Sequence, residues 1–467
     1  SIRNLEPTST PLHPFLIFPS MPHHGWLLAV ALSLVTPSID AAATYQGYKL
    51  IRFEANETVA EWLETMSDVA HDLDEKAGEE RRILFDVFSE PTKLQSYADV
   101  LVAPDFFEAF LVMLQKQGVE KVTVLRKDMQ KLIDEEEYTI DNRRRRRKRA
   151  GNAIDDFDAE TYHEYARMMR FMYDLAHHHP SLVKVVNVSR SSENRQIIGV
   201  KISTSSLFKP AIVIDAGVHA REWVAPAVAM YIMKKLVKSV GHDHRLSKAL
   251  IDFDWFIIPQ VNPDGYEYSR NTDRLWRKTR SRFNGSRYCL GTDANRNWGF
   301  KWGVAGANRS PCSNIYQGSH PFSEPEIEGL KNFLTFEIPD LTIYLSLHSY
   351  GQVWLAPWGY TGKRPDNFID QQDAAHKAVG AIRRTSGANY TYGTIAEVMY
   401  PASGTSIDFL QDKGVPYIYG VELRPQDTTD SYGFNIPAKY IKPTGDEMLE
   451  GVLAIAEHAL MKKKIKI

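Results

Sequence analysis

Residues 211–239 read AIVIDAGVHAREWVAPAVAMYIMKKLVKS. An unbroken apolar run, a Gly-containing turn and a long helical pattern follow one another. A strand apolar on both faces belongs between two layers, as in parallel sheets covered by helices. Its turn carries His219 and Glu222. A spacing of three lets both side chains reach one metal ion from a turn or a first helical turn. Alone, such a pair is far more often two surface polar residues at a strand-to-helix turn.

The same pattern recurs outward from this stretch. VVNVS (185–189), IIGVKIS (197–203), FDWFIIPQVNPDG (253–265), LTIYLSLHSY (341–350) and YIYGVELR (417–424) read as strands. YARMMRFMYDLAHHH (165–179), WVAPAVAMYIMKKLVKSV (223–240) and DEMLEGVLAIAEHALMKKK (446–464) read as helices. Residues 150–467 are therefore expected to form one α/β unit, a large mixed, mostly parallel sheet with helices on both faces. Ligands on such sheets bind beyond strand C-termini. His348 ends one of these strands and Glu422 another. His348 is either a core histidine bonded to backbone or the third member of a two-His, one-carboxylate zinc set, with the fourth position open. Asp293 is a candidate to orient a ligand imidazole. Glu422 is either a general base or the salt-bridge partner of Arg424. Arg277 and Arg296, with the Asn295 amide, have the chemistry to grip a carboxylate.

Residues 48–137 read as a smaller unit. YKLIRFEA, RRILFDVFS, YADVLVA and VEKVTVLR are strand-like. VAEWLETMSDVAHDL is helical with Val59, Trp62, Leu63 and Met66 on one face, and DFFEAFLVMLQKQG is helical with Asp105 as cap and Gly118 as stop. The order βαββαβ is a split-βαβ, ferredoxin-like arrangement. A further helix, DMQKLIDEEEY, leads into seven basic residues, Arg143–Arg149. Such a run serves as a solvated face or a patch for nucleic acid or membrane. At an exposed junction between two folded units it is also a site for an Arg/Lys-specific endoprotease.

The N-terminal residues 21–43, MPHHGWLLAVALSLVTPSIDAAA, have the short apolar run and small residues of a secretory signal peptide. Residues 1–20 precede its Met21 and read as an upstream extension. The expected layout is thus 1–20 extension, 21–43 signal, 44–142 small domain, 143–149 processing site and 150–467 large domain. Sequons at Asn56, Asn187, Asn284, Asn308 and Asn389 fit a secreted glycoprotein. With Lys+Arg at 56 and Asp+Glu at 58, the net charge of -2 argues against a dedicated nucleic-acid binder. No later run suits a membrane span. The expected state is a monomer.

The motifs GVHAREW, NPDGYEYS, RLWRKTRS, DANRNW, HSYGQ, YPASGTSIDF and VELR, in this order, resemble the pancreatic-type (A/B) zinc metallocarboxypeptidases. The resemblance covers residues 48–460. It implies a secreted zymogen that hydrolyses the C-terminal peptide bond of peptides and proteins with one Zn2+ per chain. It implies His219, Glu222 and His348 as zinc ligands, Glu422 as general base and Arg277 as the group that polarises the carbonyl and stabilises the oxyanion. Asn295, Arg296 and Tyr400 match the grip on the terminal carboxylate, Arg221 a secondary carboxylate contact and Tyr350 the wall of the next subsite. Trp223 and Trp276 read as packing. Cys289 and Cys312 match the family's disulfide, which would stabilise the loop between them by roughly 3 kcal/mol. Ile407 matches the floor of the specificity pocket, with Ile395, Leu355 and Ala402 as apolar walls. Asp408, next in sequence, is expected on a strand or extended turn and so to point away. Aromatic or large aliphatic C-termini should then be preferred. Gly420 and Thr405 leave pocket size open. Glu397, rotated inward, would favour basic or mixed substrates. A non-catalytic peptide binder on the same fold is the remaining alternative, and intact Glu422 and Arg277 speak against it.

Overall fold

The computed structural model describes residues 43–77, 83–92, 96–147, 156–204, 208–282, 289–425 and 432–465. The 1–20 extension, all of the signal segment except Ala43, Lys148, Arg149 and Asn284 lie outside them.

The small domain runs β1 (Lys49–Glu54), α1 (Glu57–Ala77), β2 (Phe85–Ser89), β3 (Tyr97–Val102), α2 (Phe107–Lys116) and β4 (Val122–Arg126). Its sheet order is β2-β3-β1-β4, antiparallel throughout. Val59, Leu63 and Met66 are buried on one face of α1, and Trp62 packs on Phe110 of α2. The N-cap position of α2 falls on Phe106, one residue after the expected Asp105. The helix starts at Phe107, and Phe106 precedes it with no side-chain cap, its ring fully buried instead. Gly118 does end the helix. At φ +83° it adopts the left-handed conformation that costs glycine least.

A helix α3 (Met129–Arg147) links the two domains. It carries five residues of the basic tract, where the sequence suggested an open junction. Arg and Lys are good helix formers, and the run contains no Gly or Pro to stop it.

The large domain is a mixed sheet of β5 (Val183–Arg190), β6 (Gln196–Ile202), β7 (Ala211–Ala216), β8 (Asp254–Ile258), β9 (Leu341–Ser349), β10 (Val353–Ala356), β11 (Thr391–Thr394) and β12 (Tyr417–Leu423). The order is β11-β10-β12-β9-β7-β8-β6-β5. The centre, β12-β9-β7-β8, is parallel and the pairs β10–β12, β6–β8 and β5–β6 are antiparallel. With β10–β11 also parallel, the sheet is mixed and mostly parallel, as the sequence suggested. Helices α4 (Tyr165–His178), α5 (Val224–Ser239), α6 (His244–Asp252), α7 (Pro263–Asn271), α8 (Pro325–Asn332), α9 (Phe368–Ser386), α10 (Ile395–Val398), α11 (Ser406–Asp412) and α12 (Ile441–Ile465) complete it. One core layer packs α4, α5, α9 and α12 on the sheet, and the second gathers Phe256, Trp298, Phe333, Ile407 and Ile418 on the other face. A disulfide joins Cys289 to Cys312. Among the described residues no helix is long and apolar enough to cross a membrane.

The two domains meet through buried charge. Glu136 of α3 receives Arg274 Nε at 2.6 Å and Nη2 at 3.1 Å, and Asn435 Nδ2 at 2.9 Å. Asp86 of β2 receives Arg221 Nη1 at 2.5 Å and Asn314 Nδ2 at 3.0 Å. Phe88 packs on Phe434. Removing one partner of a buried pair strands the other charge in a medium that cannot solvate it. Glu136→Ala should therefore destabilise the docked small domain by about 3–5 kcal/mol, read as a lower denaturant midpoint of the uncut chain. An unchanged midpoint would show that Arg274 is solvated in some other way.

Candidate active site

Three neighbouring parallel strands deliver the polar residues to one edge. His219 and Glu222 follow β7. His348 lies in the last turn of pleat of β9, directly opposite Glu422 of β12 in the parallel register. Gly217 makes the exit from β7 possible. It sits at φ +69°, and a Cβ there would fall 2.1 Å from Gln260 Oε1. The chain then bends so that Glu222 N–H bonds His219 O at 3.3 Å, and Ala220 N–H is pinned to Arg277 O at 2.9 Å. Helix α5 begins two residues after Glu222.

His219, Glu222 and His348 are buried, and their ligand atoms lie within 4.8 Å of one another. His219 Nδ1 is 2.8 Å from Glu222 Oε1, His348 Nδ1 is 3.1 Å from Glu222 Oε2, and the two Nδ1 atoms are 3.1 Å apart. Two ring nitrogens and a carboxylate converging in a buried space suit one zinc ion, which in catalytic sites takes three N or O donors from the protein and keeps a fourth position open. The cluster holds one Zn2+ per chain, and no second group of this kind occurs among the described residues.

The outer shell fixes these donors. His219 Nε2 contacts Asp293 Oδ1 at 3.1 Å, as the sequence suggested. His348 Nε2 contacts Ser346 Oγ at 3.2 Å, which donates to Asp215 Oδ1 at 2.7 Å. With each Nε2 so engaged, Nδ1 is the face left for metal. Burial opposes the charge on Glu222, but His219 and His348 hold its pKa well below the usual range. Asp293 is held low despite burial, chiefly by Arg277 and then His219. Asp215 goes the other way, pushed up to about 6 by burial against the bonds of Tyr344 and Ser346.

Glu422 stands beside the cluster. Burial, reinforced by Glu222, pushes it up to about 8, against the pull of His348 and Arg277. It has no salt bridge to Arg424, whose guanidinium is taken by Glu447. Arg277 donates to Asp293 Oδ2 at 2.8 Å and lies 4.0 Å from Glu222. Arg296 is buried, held by the carbonyls of Gly306 at 2.5 Å and Asn295 at 3.0 Å, and no carboxylate is within ion-pair distance among the described residues. Asn295 and Tyr400 line the same cleft of about 490 Å³. Arg221 lies under Phe434, 4.0 Å from its ring centroid, and Tyr350 meets the same ring.

Ile407, Ile395, Leu355, Ala402, Thr405 and Gly420 line one end of the cleft. Asp408 does avoid it, though by a different route from that expected. It lies on helix α11, not on a strand, and is buried where Gly359 N–H and Tyr360 N–H bond its carboxylate at 2.8 and 2.9 Å. Glu397 also stays out, paired with Arg364 at 2.9 Å.

Sequence reasoning did not find Asp86, Asn314, Phe434 or the Asp215–Ser346–His348 chain. Asp215 had a visible signal, a carboxylate inside the apolar run AIVID. The partner of Arg221 had none, because it comes from another domain.

Comparisons with known proteins agree with this geometry. The family described as zinc carboxypeptidase matches residues 168–451, and that described as carboxypeptidase activation peptide matches residues 72–136. Carboxypeptidase A2 of Rattus norvegicus is 39% identical over 380 residues, 81% of this chain and 88% of its own. Carboxypeptidase B of Astacus astacus is 40% identical over 301 residues, 64% of this chain and 97% of its own. The crystal structure of the carboxypeptidase A from Helicoverpa armigera has a TM-score of 0.76 at 27% identity, covering 89% of this chain and 98% of that one.

Elemental analysis of the purified protein should find one zinc per chain, and His219→Ala, Glu222→Ala or His348→Ala should lose it. A metal-free protein prepared without chelators would refute the site.

Proposed function

The chain belongs to the zinc carboxypeptidase family and acts as a zinc-dependent carboxypeptidase carried with its activation segment, and we propose that it is a secreted precursor whose processed form removes aromatic or large aliphatic residues from peptide C-termini. The observation that carries the reading is Arg296. It is a buried guanidinium whose hydrogen bonds among the described residues go to carbonyls, beside an apolar pocket and within the cleft of the metal cluster, where Glu90 of the small domain acts on it electrostatically in the precursor. A buried cation in that position needs an anion. A peptide's terminal carboxylate supplies it, and the residue bearing that carboxylate then enters the pocket over Ile407.

Zinc, when bound, supplies Lewis acidity to the reaction. The rest falls to the chain's own groups. Arg296, Asn295 and Tyr400 hold the terminal carboxylate, and Arg221 serves it on the way in. Glu422 takes a proton from the attacking water and passes it to the leaving amine, a task suited to a carboxyl raised toward neutral pH. Arg277 donates to the oxyanion as it forms, kept in place by Asp293. Burying Phe or Leu over Ile407 contributes roughly 1.5–3 kcal/mol, whereas a Lys or Arg charge there would go unpaired and desolvated. Gly420 supports room for the larger rings, since its missing Cβ faces Leu355 and Ile407. The paired Glu397 offers nothing to a basic side chain.

The small domain, read as a ferredoxin-like activation domain within 44–142, lines the same cleft with Asp86, Phe88 and Glu90. Asp86 already occupies Arg221, so the precursor should be weak on long substrates. An Arg/Lys-specific endoprotease acting in 143–149 would release the domain at 150–467.

Two outcomes check this reading. Glu422→Gln keeps the shape and loses the base, so turnover should fall by ~10²–10⁴-fold with substrate binding kept; near-normal turnover would remove Glu422 from the mechanism. With peptides differing in their last residue, kcat/KM should favour Phe and Leu over Lys and Arg, and Ile407→Asp should shift it toward Lys and Arg. Preference for basic residues in the unmodified enzyme would overturn the pocket assignment.

A further inference from the structure

We infer that Asn187 and Asn389 carry N-linked oligosaccharides that cover the two outermost strands of the large sheet. The inference rests on the secretion reading above. Of the sequons, Asn56 belongs to the small domain and would leave with it, its Oδ1 capping α1 by accepting Val59 N–H at 3.0 Å. Asn308 is half-buried, and its Oδ1 accepts Ser310 N–H at 2.7 Å. Asn187 and Asn389 are exposed, and their side-chain amides make no hydrogen bond to a described residue.

Their places in the fold give the exposure a meaning. Asn187 lies in β5, the outer strand at one end of the sheet, where the register with β6 breaks between Asn187 and Ser189. Asn389 lies two residues before β11, the outer strand at the other end. Outer strands present backbone donors and acceptors to any passing strand, and a bulge or a bulky cover prevents such pairing. A bulky hydrophilic glycan at each edge would supply the cover. In the transfer, Asn Nδ2 forms a bond to the anomeric carbon of a lipid diphosphate-linked oligosaccharide. The bond from that carbon to the diphosphate oxygen breaks, the lipid diphosphate leaves, and one amide proton is released. The hydroxyls at Ser189 and Thr391 complete the acceptor sequences.

The test uses the full chain made in cells with a secretory pathway. The secreted protein is treated with peptide N-glycosidase in 18O-water, which converts each occupied Asn to labelled Asp, and its peptides are mapped. Label at both Asn187 and Asn389 is expected. A secreted chain unlabelled at either site overturns the inference, and an unlabelled chain retained in the cytosol overturns it together with the secretion reading. The double variant N187Q/N389Q should self-associate with rising concentration in sedimentation while the processed enzyme keeps its activity. Enzymatic removal of the glycans from the folded protein gives the same comparison if that variant does not fold. A deglycosylated protein as monodisperse as the glycosylated one overturns the covering role.

Discussion

Everything at the site depends on the parallel register of β7, β9 and β12. Because the three strands run the same way side by side, their C-terminal ends emerge at one edge. Residues more than 120 positions apart in the chain, such as His219 and His348, are thereby brought within bonding distance. The cost of gathering these groups in a buried space is met locally. Asp293 and Ser346 engage the outward ring nitrogens, Arg277 balances Asp293, and Ser349 N–H supports Glu222 at 3.2 Å. The metal-binding edge of each imidazole is what remains.

The same economy of charge links regulation to recognition. Arg221 and Arg274 are buried cations on the large domain, and both are neutralised by carboxylates of the preceding segment, Asp86 and Glu136. Among the described residues the hydrogen bonds of Arg296 go to carbonyls, and the Glu90 carboxylate of the preceding segment acts on it electrostatically. On the proposed function Arg221 serves a substrate's carboxylate, and such a cation is a natural docking point for a domain that covers the cleft, because desolvating it requires an anion in either state.

Much of this was legible in the sequence. The apolar runs located six of the eight strands of the large sheet, and the motif order brought His219, Glu222, His348, Glu422, Arg277 and Arg296 into one site. What escaped did so for identifiable reasons. Val353–Ala356 and Thr391–Thr394 are four residues each, too short for period to speak. Ile407 and Asp408 diverge because a helical step of about 100° separates them, not because a strand alternates. The N-cap position of α2 falls on buried Phe106, one residue past the polar signal of Asp105. The helix through Arg147 followed propensity across a run whose charge suggested an open linker. Asp86 was invisible for a simpler reason, since nothing near Arg221 in sequence announces a partner from another domain.

The central claim is that the enzyme reads a free terminal carboxylate through Arg296. It is tested most directly by comparing the processed enzyme's kcat/KM on one peptide ending in Phe as the free acid and as the C-terminal amide. The account predicts that amidation nearly eliminates cleavage. Equal rates on the two peptides would contradict it.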